Sequence, residues 1–257
     1  MTESTHLAEG IIIKSSAELA LMRQAGHIVA SVLQTLAREI KPGLRTKELD
    51  SLTAREVARL GASSSFLGYR GFPANLCVSV NDEIVHGIPG ERLLRQGDIV
   101  SLDFGAIFQG FQADAAVTVP VGKVSPQAQG LLEVTQGALR VGISAARSGG
   151  RIGDISAAIQ DYAESRGFSV VREYSGHGIG RALHEEPQVA NFGLAGHGLL
   201  LRPGMTLAIE PMVNIGGWQT RVAANHWTVL TADGSLSAHF EHTIAITDGE
   251  AEVLTEV

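Results

Sequence analysis

Two stretches with the same plan decide the fold of this chain: GDIVSLD at residues 97–103 and GMTLAIE at residues 204–210. Each begins with glycine and ends, six residues later, on a carboxylate, Asp103 or Glu210. Apolar residues alternate with small or polar ones in both, which is typical of β-strands with one buried face. The two stretches therefore predict equivalent strands in two related halves.

A second pair of strand-like stretches follows the first: DAAVTV at residues 114–119 and EHTIAI at residues 241–246. Each begins with a carboxylate, Asp114 or Glu241, and none of the four stretches contains Lys or Arg. A charge buried without a partner costs several kcal/mol or more, on the order of its lost hydration. Four acidic residues in apolar strands without basic partners therefore indicate divalent cations.

The bulk composition favours a globular enzyme of the cytoplasm. The chain has 257 residues, a net charge of -7 and a pI near 5.7, so a nucleic-acid surface is not expected. Its only early apolar run is residues 11–13, which is too short for a signal peptide or a membrane span. Cys77 is the only cysteine, which excludes an intrachain disulfide and a cysteine-based zinc module.

Four helices are predicted, over residues 15–40, 46–60, 125–146 and 154–167. Ser15 and Glu18 form a capping-box pattern at the start of the first. Thr46 and Asp154 are predicted to cap the second and fourth.

The helix pairs repeat along the chain. Residues 43–45 align with residues 149–151 at an offset of 106, and each helix pair leads to a His-Gly-Ile unit that begins at His86 or His177. A Gly-to-carboxylate strand and a second carboxylate strand follow each unit. We interpret this order as an internal duplication within a single domain of residues 1–257, with halves at about 14–120 and 125–248.

The second half carries insertions. His86 and Asp103 are 17 residues apart, whereas His177 and Glu210 are 33 apart. A further insertion before Glu241 predicts a hairpin with Asp233-Gly234 as its turn. These insertions make the two halves unequal where a substrate could be held.

Strand alternation predicts a sheet with two unlike faces. Small or polar side chains share a face with the four carboxylates: Ser101, Ala116, Thr118, Ala208, Thr243 and Ala245. Bulky apolar side chains lie opposite and should pack on the helices. The predicted fold class is α/β (α+β), a curved antiparallel sheet from two pseudo-symmetric halves with helices on its outer face.

Oxygen-rich ligands with one imidazole suit Mn²⁺, Fe²⁺ or Co²⁺ and can accept Zn²⁺. Four carboxylates nearly neutralise two divalent ions, and His177 is the natural fifth ligand. Such ions lower the pKa of a bound water towards ~7. The chemistry indicated is metal-assisted hydrolysis.

The ordered motifs resemble the "pita-bread" metallopeptidases and, within them, the bacterial form of methionine aminopeptidase. The resemblance runs from about residue 13 to about residue 248. It rests on these residues and motifs: His86 in HGIP, Asp103, Asp114, His177 in GHGIG, His184 in HEEP, Glu210 in IEPM and Glu241 in EHT.

The resemblance implies two divalent ions and a role for each motif residue. Asp103 would bind one ion, Asp114 and Glu241 would bridge both, and His177 and Glu210 would bind the other. Glu210 would also act as a proton shuttle. His184 would contact the scissile amide. His86 would hold the substrate and the tetrahedral intermediate, although symmetry with His177 alone would make it a ligand.

The resemblance also implies a methionine pocket formed by Tyr69, Phe72, Cys77, Leu183 and Trp227. Leu183 stands where many bacterial relatives carry Phe, and Phe66 and Phe72 stand where some carry Cys and Tyr. The wall stays apolar, but its shape differs. The substrate would be the N-terminus of a nascent polypeptide near the ribosome, and the enzyme a monomer.

Other histidines match no motif. His6, His27, His197, His226 and His239 are interpreted as surface or core residues, and His242 should point away from the ions. Cys77 is interpreted as a packed residue of the pocket wall, since no motif places a base beside it.

Two alternatives remain. The first is another pita-bread peptidase that acts on X-Pro bonds, although those enzymes carry a large N-terminal domain for which a start near residue 11 leaves no room. The second is a pita-bread module without metal that only binds partners. Such modules lose ligands, and all five ligand positions are filled here.

Overall fold

The computed structural model describes residues 5–6 and 10–256. These residues form four α-helices in two pairs, α1 Ser16–Glu39 with α2 Thr46–Arg59, and α3 Pro126–Ala145 with α4 Ile152–Glu164. None of the helices in this part of the chain is long and apolar enough to cross a membrane.

Seventeen strands precede, connect and follow these helices in the described residues. In chain order they are β1 Thr5–His6, β2 Ile12–Ile13, β3 Ser63–Ser64, β4 Cys77–Val80, β5 Glu83–Val85, β6 Ile99–Phe108, β7 Phe111–Pro120, β8 Ser169–Val170, β9 Ser175–Gly178, β10 Glu185–Ala190, β11 Thr206–Ile209, β12 Met212–Asn214, β13 Thr220–Val222, β14 Val229–Thr231, β15 Ser237–His239, β16 Glu241–Ala245 and β17 Glu252–Val253.

The central sheet has nine strands in the order β10-β9-β11-β16-β7-β6-β3, with β4 beside β6 and β17 beside β16. Every pairing in it is antiparallel. The contact between β16 and β7 joins the two predicted halves, because β3, β4, β6 and β7 lie within the first and β9, β10, β11 and β16 within the second. The antiparallel sheet with four helices confirms the predicted fold class.

The two faces of the sheet differ as the alternation predicts. Val100, Leu102 and Phe104 of β6 are fully buried in a core that they share with α1 and α2. Leu207 and Ile244 pack in a second core, against α3 and α4. The bulky face of the sheet therefore lies on the helices, and the small and polar face is left for the site.

The helix starts differ in detail from the prediction. The Ser15–Glu18 capping box is present as predicted. In α2 and α4, however, the cap positions are Arg45 and Arg151, and the backbone N–H of each donates to a carboxylate three residues later, Glu48 or Asp154. The predicted caps at Thr46 and Asp154 are therefore wrong, because a carboxylate in the third helical position can satisfy the cap from inside the helix.

The hairpin in the last insertion also differs. Its strands are β13 and β14, and residues 223–228 connect them. Asp233 and Gly234 form a separate turn after β14, in which the Asp233 carboxylate accepts hydrogen bonds from the N–H groups of Gly217 and Ser235. The predicted place of this turn in the hairpin is wrong.

Candidate active site

Strand register brings three of the four carboxylates around one small residue. Ala116 of β7 lies opposite Asp103 of β6 and opposite Glu241 of β16. Asp114 is two residues before Ala116, so its side chain is on the same face. Because Ala116 has only a methyl group, the neighbouring carboxyl groups can converge over it.

The register of β11 adds the fourth carboxylate and an imidazole. Ala208 lies opposite both His177 of β9 and Thr243 of β16. Glu210 follows two residues after Ala208 and projects on the same side. Its Oε1 atom is 3.7 Å from Nε2 of His177. Donor atoms of Asp114, His177 and Glu241 all lie within 4.8 Å of one another.

The backbone beside His177 fixes its imidazole. Nδ1 lies 2.9 Å from the Gly178 carbonyl oxygen, so Nδ1 carries the hydrogen and Nε2 offers its lone pair to the site. A Cβ on Gly178 would lie 2.1 Å from the carbonyl oxygen of Glu186, and one on Gly87 would lie 2.1 Å from that of Val78. Both His-Gly units thus need glycine, because another strand passes directly over the backbone.

The hairpin insertion brings Trp227 to His86. Val229 of β14 pairs with Val85 of β5, which places the loop before β14 beside His86. The Thr228 hydroxyl lies 3.4 Å from the carbonyl oxygen of His86. This loop forms one wall of the pocket, where the Trp227 ring meets Phe72 edge-on at 5.2 Å.

Another part of the lining comes from the loop between β9 and β10, which contains Leu183 and His184. Leu183 is buried, whereas His184 is exposed at the mouth. The Tyr69 hydroxyl lies 2.9 Å from Nδ1 of His184, and the His184 ring is 4.2 Å from that of His177. His184 therefore stands between the metal-ligand candidates and solvent.

All twelve predicted site residues line one cavity of about 150 Å³. Phe66 and Arg70 line it too. The lining combines the four carboxylates and His177 with apolar side chains, and it also includes His86 and His184. A cavity of this size fits one side chain, since sites for drug-sized ligands are ~300 Å³ or more.

Burial and mutual repulsion disfavour the charged forms of the four carboxylates. Burial raises the pKa of all four, that of Asp114 to about 7. The like charge of Asp114 raises the pKa of Asp103, Glu210 and Glu241 further. Burial lowers the pKa of His177 to about 3 and that of His86 to about 4, with His184 adding to both shifts.

The donor set fits divalent metal. Asp103 Oδ1, Asp114 Oδ1 and Glu241 Oε1 are buried with no hydrogen-bond partner in the described part of the chain. No Lys or Arg of the described residues forms an ion pair with any of the four carboxylates. Hard or borderline cations prefer oxygen ligands and neutral imidazole nitrogens. Buried carboxylate oxygens without another partner, beside a neutral imidazole, provide such ligands.

Cys77 lies in the pocket wall beside Asp103, its partner across β4 and β6. Burial raises the pKa of its thiol well above the usual value, and the nearby carboxylates add to the shift. The thiol therefore stays protonated at neutral pH and is not a nucleophile, in agreement with its interpretation as a packed residue.

Sequence reasoning missed His239. The sequence predicts a surface or core residue; His239 is buried, and in addition its Nε2 lies 3.6 Å from Glu210 Oε2 and 3.9 Å from Glu241 Oε2. A signal was available, because residues 239 and 241 share a face if the strand is continuous. Burial lowers the pKa of this imidazole to about 3, with His86 adding to the shift.

Comparisons with known proteins agree with this geometry. Residues 20–248 match the model of metallopeptidase family M24. Methionine aminopeptidase 1 of Bacillus subtilis is 52% identical over 247 residues, which cover 96% of this chain and 100% of that protein. The crystal structure of methionine aminopeptidase from Thermotoga maritima superposes with a TM-score of 0.95 at 46% identity, over 96% of this chain and 100% of that one.

A prolidase from Pyrococcus furiosus shares the fold alone. Its TM-score is 0.79 at 21% identity, and the similarity covers 95% of this chain but only 65% of the prolidase. The architecture is thus common to peptidases of different specificity, and the similarity in sequence lies with the methionine aminopeptidases.

Proposed function

Because this chain belongs to metallopeptidase family M24, we infer that it is a metal-dependent aminopeptidase that removes the N-terminal methionine of polypeptides whose second residue is small. The observation that supports this most directly is the cavity of about 150 Å³, in which apolar walls and four buried carboxylates share one lining. The walls take one unbranched side chain, and the carboxylates meet the peptide bond that follows it.

Five residues would hold two divalent ions. Asp103 would hold one, Asp114 and Glu241 would be shared by both, and His177 and Glu210 would hold the other. When bound, such ions polarise the scissile carbonyl and lower the pKa of a coordinated water. The candidates are Co²⁺, Mn²⁺, Fe²⁺ and Zn²⁺, since the ligands are four carboxylates and one imidazole.

The remaining residues bind the substrate and move protons. Tyr69, Phe72, Cys77, Leu183 and Trp227 enclose the methionine side chain. Glu210 accepts a proton from the attacking water and passes it to the leaving amine. His86 holds the substrate from one side of the cavity and supports the oxyanion of the tetrahedral intermediate.

His184 acts at the mouth. If the Tyr69 hydroxyl donates to Nδ1, the hydrogen of the neutral ring lies on Nε2 and can be donated to the substrate. This hydrogen bond would orient the scissile amide. The crowding of His184 against His177 leaves room for only a small second residue.

The two alternatives are disfavoured by specific observations. An X-Pro peptidase would share the fold, as the prolidase does, but the sequence identity lies with the methionine aminopeptidases. A metal-free binding module has no need to bury four carboxylates without basic partners.

In the cell, the substrate would be nascent polypeptide N-termini near the ribosome, and the enzyme would act as a cytoplasmic monomer. The net charge of -7 gives no support to nucleic acid as a partner, and no membrane partner is proposed.

One assay tests the proposal. The protein is depleted of metal with a chelator, resupplied with single ions, and tested on Met-Gly-Met-Met and on an X-Pro peptide. We expect metal-dependent release of methionine from the first peptide and no cleavage of the second. Cleavage of the X-Pro peptide alone, or no metal-dependent cleavage of either, would refute the proposal.

A further inference from the structure

His239 is a buried imidazole whose ring has no hydrogen bond. The residue is 1% exposed, and neither Nδ1 nor Nε2 has a partner among the described residues. Buried polar groups are nearly always hydrogen-bonded, so an orphan beside an active site calls for an explanation. The twelve residues assigned to the site do not include it.

The ring is directed at two of the ligand carboxylates. Nε2 lies 3.6 Å from Oε2 of Glu210 and 3.9 Å from Oε2 of Glu241. Both distances exceed the usual hydrogen-bond length, yet a displacement of either carboxylate by ~1 Å would close the gap. On the other side of Glu210, Nε2 of His177 lies 3.7 Å from Oε1. Each oxygen of Glu210 therefore faces its own imidazole.

Hydrogen bonds with a side chain of the central sheet hold the backbone of His239. The Thr118 hydroxyl accepts a hydrogen bond from the His239 N–H at 2.9 Å and donates one to its carbonyl oxygen at 2.7 Å. Ser101 lies 2.8 Å from the same hydroxyl. His239 also pairs with Met212 of β12, two residues after Glu210. The backbone of His239 is thus tied both to the carboxylate strands and to the segment that positions Glu210, and this fixes where the ring can lie.

The geometry separates His239 from the ligands themselves. The ring approaches only the Oε2 atoms of two carboxylates, so its natural partner is an acceptor oxygen. An imidazole N–H donated to a ligating carboxylate orients that ligand and fixes which oxygen remains for the metal.

We propose that His239 is a positioning residue for the metal centre: its Nε2–H donates to Glu210, with Glu241 as the alternative acceptor, and holds these carboxylates for a divalent ion. The inference rests on the proposed function, because Glu210 and Glu241 must be ligands for their orientation to matter. Groups that orient ligands in this way typically contribute ~10–100-fold to metal affinity or activity.

The test compares His239→Leu with His239→Gln in the full chain. Leu fills much of the volume and cannot donate, whereas the Gln amide can donate from a similar distance. His242→Ala is the matched control, because this neighbouring histidine turns away from the carboxylates and contacts the Thr255 hydroxyl at 2.8 Å. Metal-free protein is titrated with Co²⁺ in competition with a chelator, and the number of ions and the visible absorption of Co²⁺ are recorded.

We expect His239→Leu to weaken Co²⁺ affinity by ~10–100-fold and to change the Co²⁺ spectrum, with the same number of ions at saturation. His239→Gln should recover most of the affinity, and His242→Ala should match the parent. With saturating Co²⁺, His239→Leu should lower kcat for Met-Gly-Met-Met while KM stays within about two-fold of the parent.

Parent-like affinity, spectrum and kcat in His239→Leu would overturn the proposal, and loss of one ion in both variants would make His239 a ligand instead. If the Leu variant does not fold, His239→Asn replaces it, since its shorter amide cannot reach Glu210 and should bind Co²⁺ more weakly than Gln. An inactive parent that binds Co²⁺ normally would refute the proposed function but not the role of His239, so the two failures are distinguishable.

Discussion

The hydroxyl of Tyr69 lies 2.9 Å from Nδ1 of His184, and the two rings stack with centroids 5.4 Å apart. A residue of the first half therefore holds the orientation of a histidine in an insertion of the second half. His184 itself contacts no carboxylate of the metal centre in any ion pair of the described residues. This arrangement suits a group that serves the substrate rather than the metal.

His184→Ala should lose turnover and keep its metal. We expect kcat to fall by ~10²-fold or more, since a positioned proton donor at the scissile amide contributes about that much. Tyr69→Phe should lose less, ~5-fold, because it removes one hydrogen bond and leaves the imidazole in place. Methionine release and metal content by elemental analysis are measured on the same preparations.

His197→Ala is the control for this pair, because His197 is exposed and its ring makes a local contact, 3.0 Å from Nδ1 to the Ala195 carbonyl oxygen. It should match the parent in both measurements. Loss of metal from His184→Ala would make His184 a ligand and contradict its assignment.

Asp114→Asn should inactivate the enzyme without unfolding it. The amide keeps the size of the carboxylate but removes the charge that joins two ions. We expect activity to fall by at least ~10²-fold, because a misplaced metal and its water forfeit several kcal/mol of barrier lowering. Methionine release and the number of bound ions are the measurements.

The matched variant is Asp161→Asn, which changes an exposed carboxylate on α4 and should leave both quantities unchanged. Near-normal turnover of Asp114→Asn with the parent's metal content would exclude a two-ion centre bridged by this residue.

The metal-free protein should lose stability as the pH rises above about 6.5. Burial raises the pKa of the four site carboxyls, that of Asp114 to about 7. These carboxyls stabilise the folded state most below ~4, which is their pKa in the unfolded chain. This stabilisation is lost as the pH rises through their pKa values in the folded protein. The buried histidines have lowered pKa values, so their contribution changes only below ~6.5.

Above pH 6.5, the site carboxyls should therefore set the downward trend, because the pKa of Asp114 is about 7 and those of Asp103, Glu210 and Glu241 are raised well above their usual values. Melting temperatures in the presence of a chelator should fall over this range. With Mn²⁺ the fall should disappear, because metal binds the deprotonated ligands more tightly as the pH rises. Glu241→Gln should flatten the trend of the metal-free protein. If the melting temperature of the metal-free protein rose over this range, ionisation of the carboxyls would not control its stability as predicted.

Strand alternation was sufficient to predict the carboxylate face, because a period of two residues is a local property. In the sheet, Asp103 and Glu241 lie on either side of Ala116. All three side chains are therefore on the face that the sequence predicts for the carboxylates. The predicted caps at Thr46 and Asp154 are wrong, because carboxylates in the third helical position accept the hydrogen bonds of the cap residues' N–H groups.

His239 was missed for a different reason. Its position depends on β15 meeting both β12 and the Thr118 hydroxyl, a contact between residues 121 apart in the chain. The pocket wall likewise depends on long-range packing of two insertions, so Leu183 and Trp227 were identified by family resemblance and not from periodicity.

The loop that contains His184 is anchored by a buried ion pair. The Glu185 carboxylate accepts a hydrogen bond from Lys14 Nζ at 2.6 Å and one from the Ala182 N–H at 3.2 Å. Both side chains of the pair are at most 5% exposed. Lys14→Met would leave Glu185 buried and unpaired, which should cost ~3–5 kcal/mol of unfolding free energy.

Urea unfolding measures this cost, and kcat should fall with it because the loop loses its anchor. The exposed pair of Arg23 and Glu252 provides the control, and Arg23→Met should cost under ~1 kcal/mol. Lys14→Met with Glu185→Gln should recover part of the stability. A Lys14→Met variant as stable as Arg23→Met would show that the buried pair does not anchor the loop.

The cavity should impose specificity at two successive substrate positions. The five predicted wall residues are uncharged, so the wall should accept the flexible thioether of methionine, and they offer a charged side chain no compensation for its lost hydration. The second residue would lie beside His184, where the His177 ring is 4.2 Å away, so Gly, Ala and Ser should be preferred.

A peptide panel that varies the two positions independently measures kcat/KM for each. Leu183→Phe should narrow the first position further, since it adds a ring to the wall. If Lys-first or Leu-first peptides were cut as fast as Met-first ones, or Met-Lys as fast as Met-Ala, the enzyme would be an aminopeptidase of another specificity.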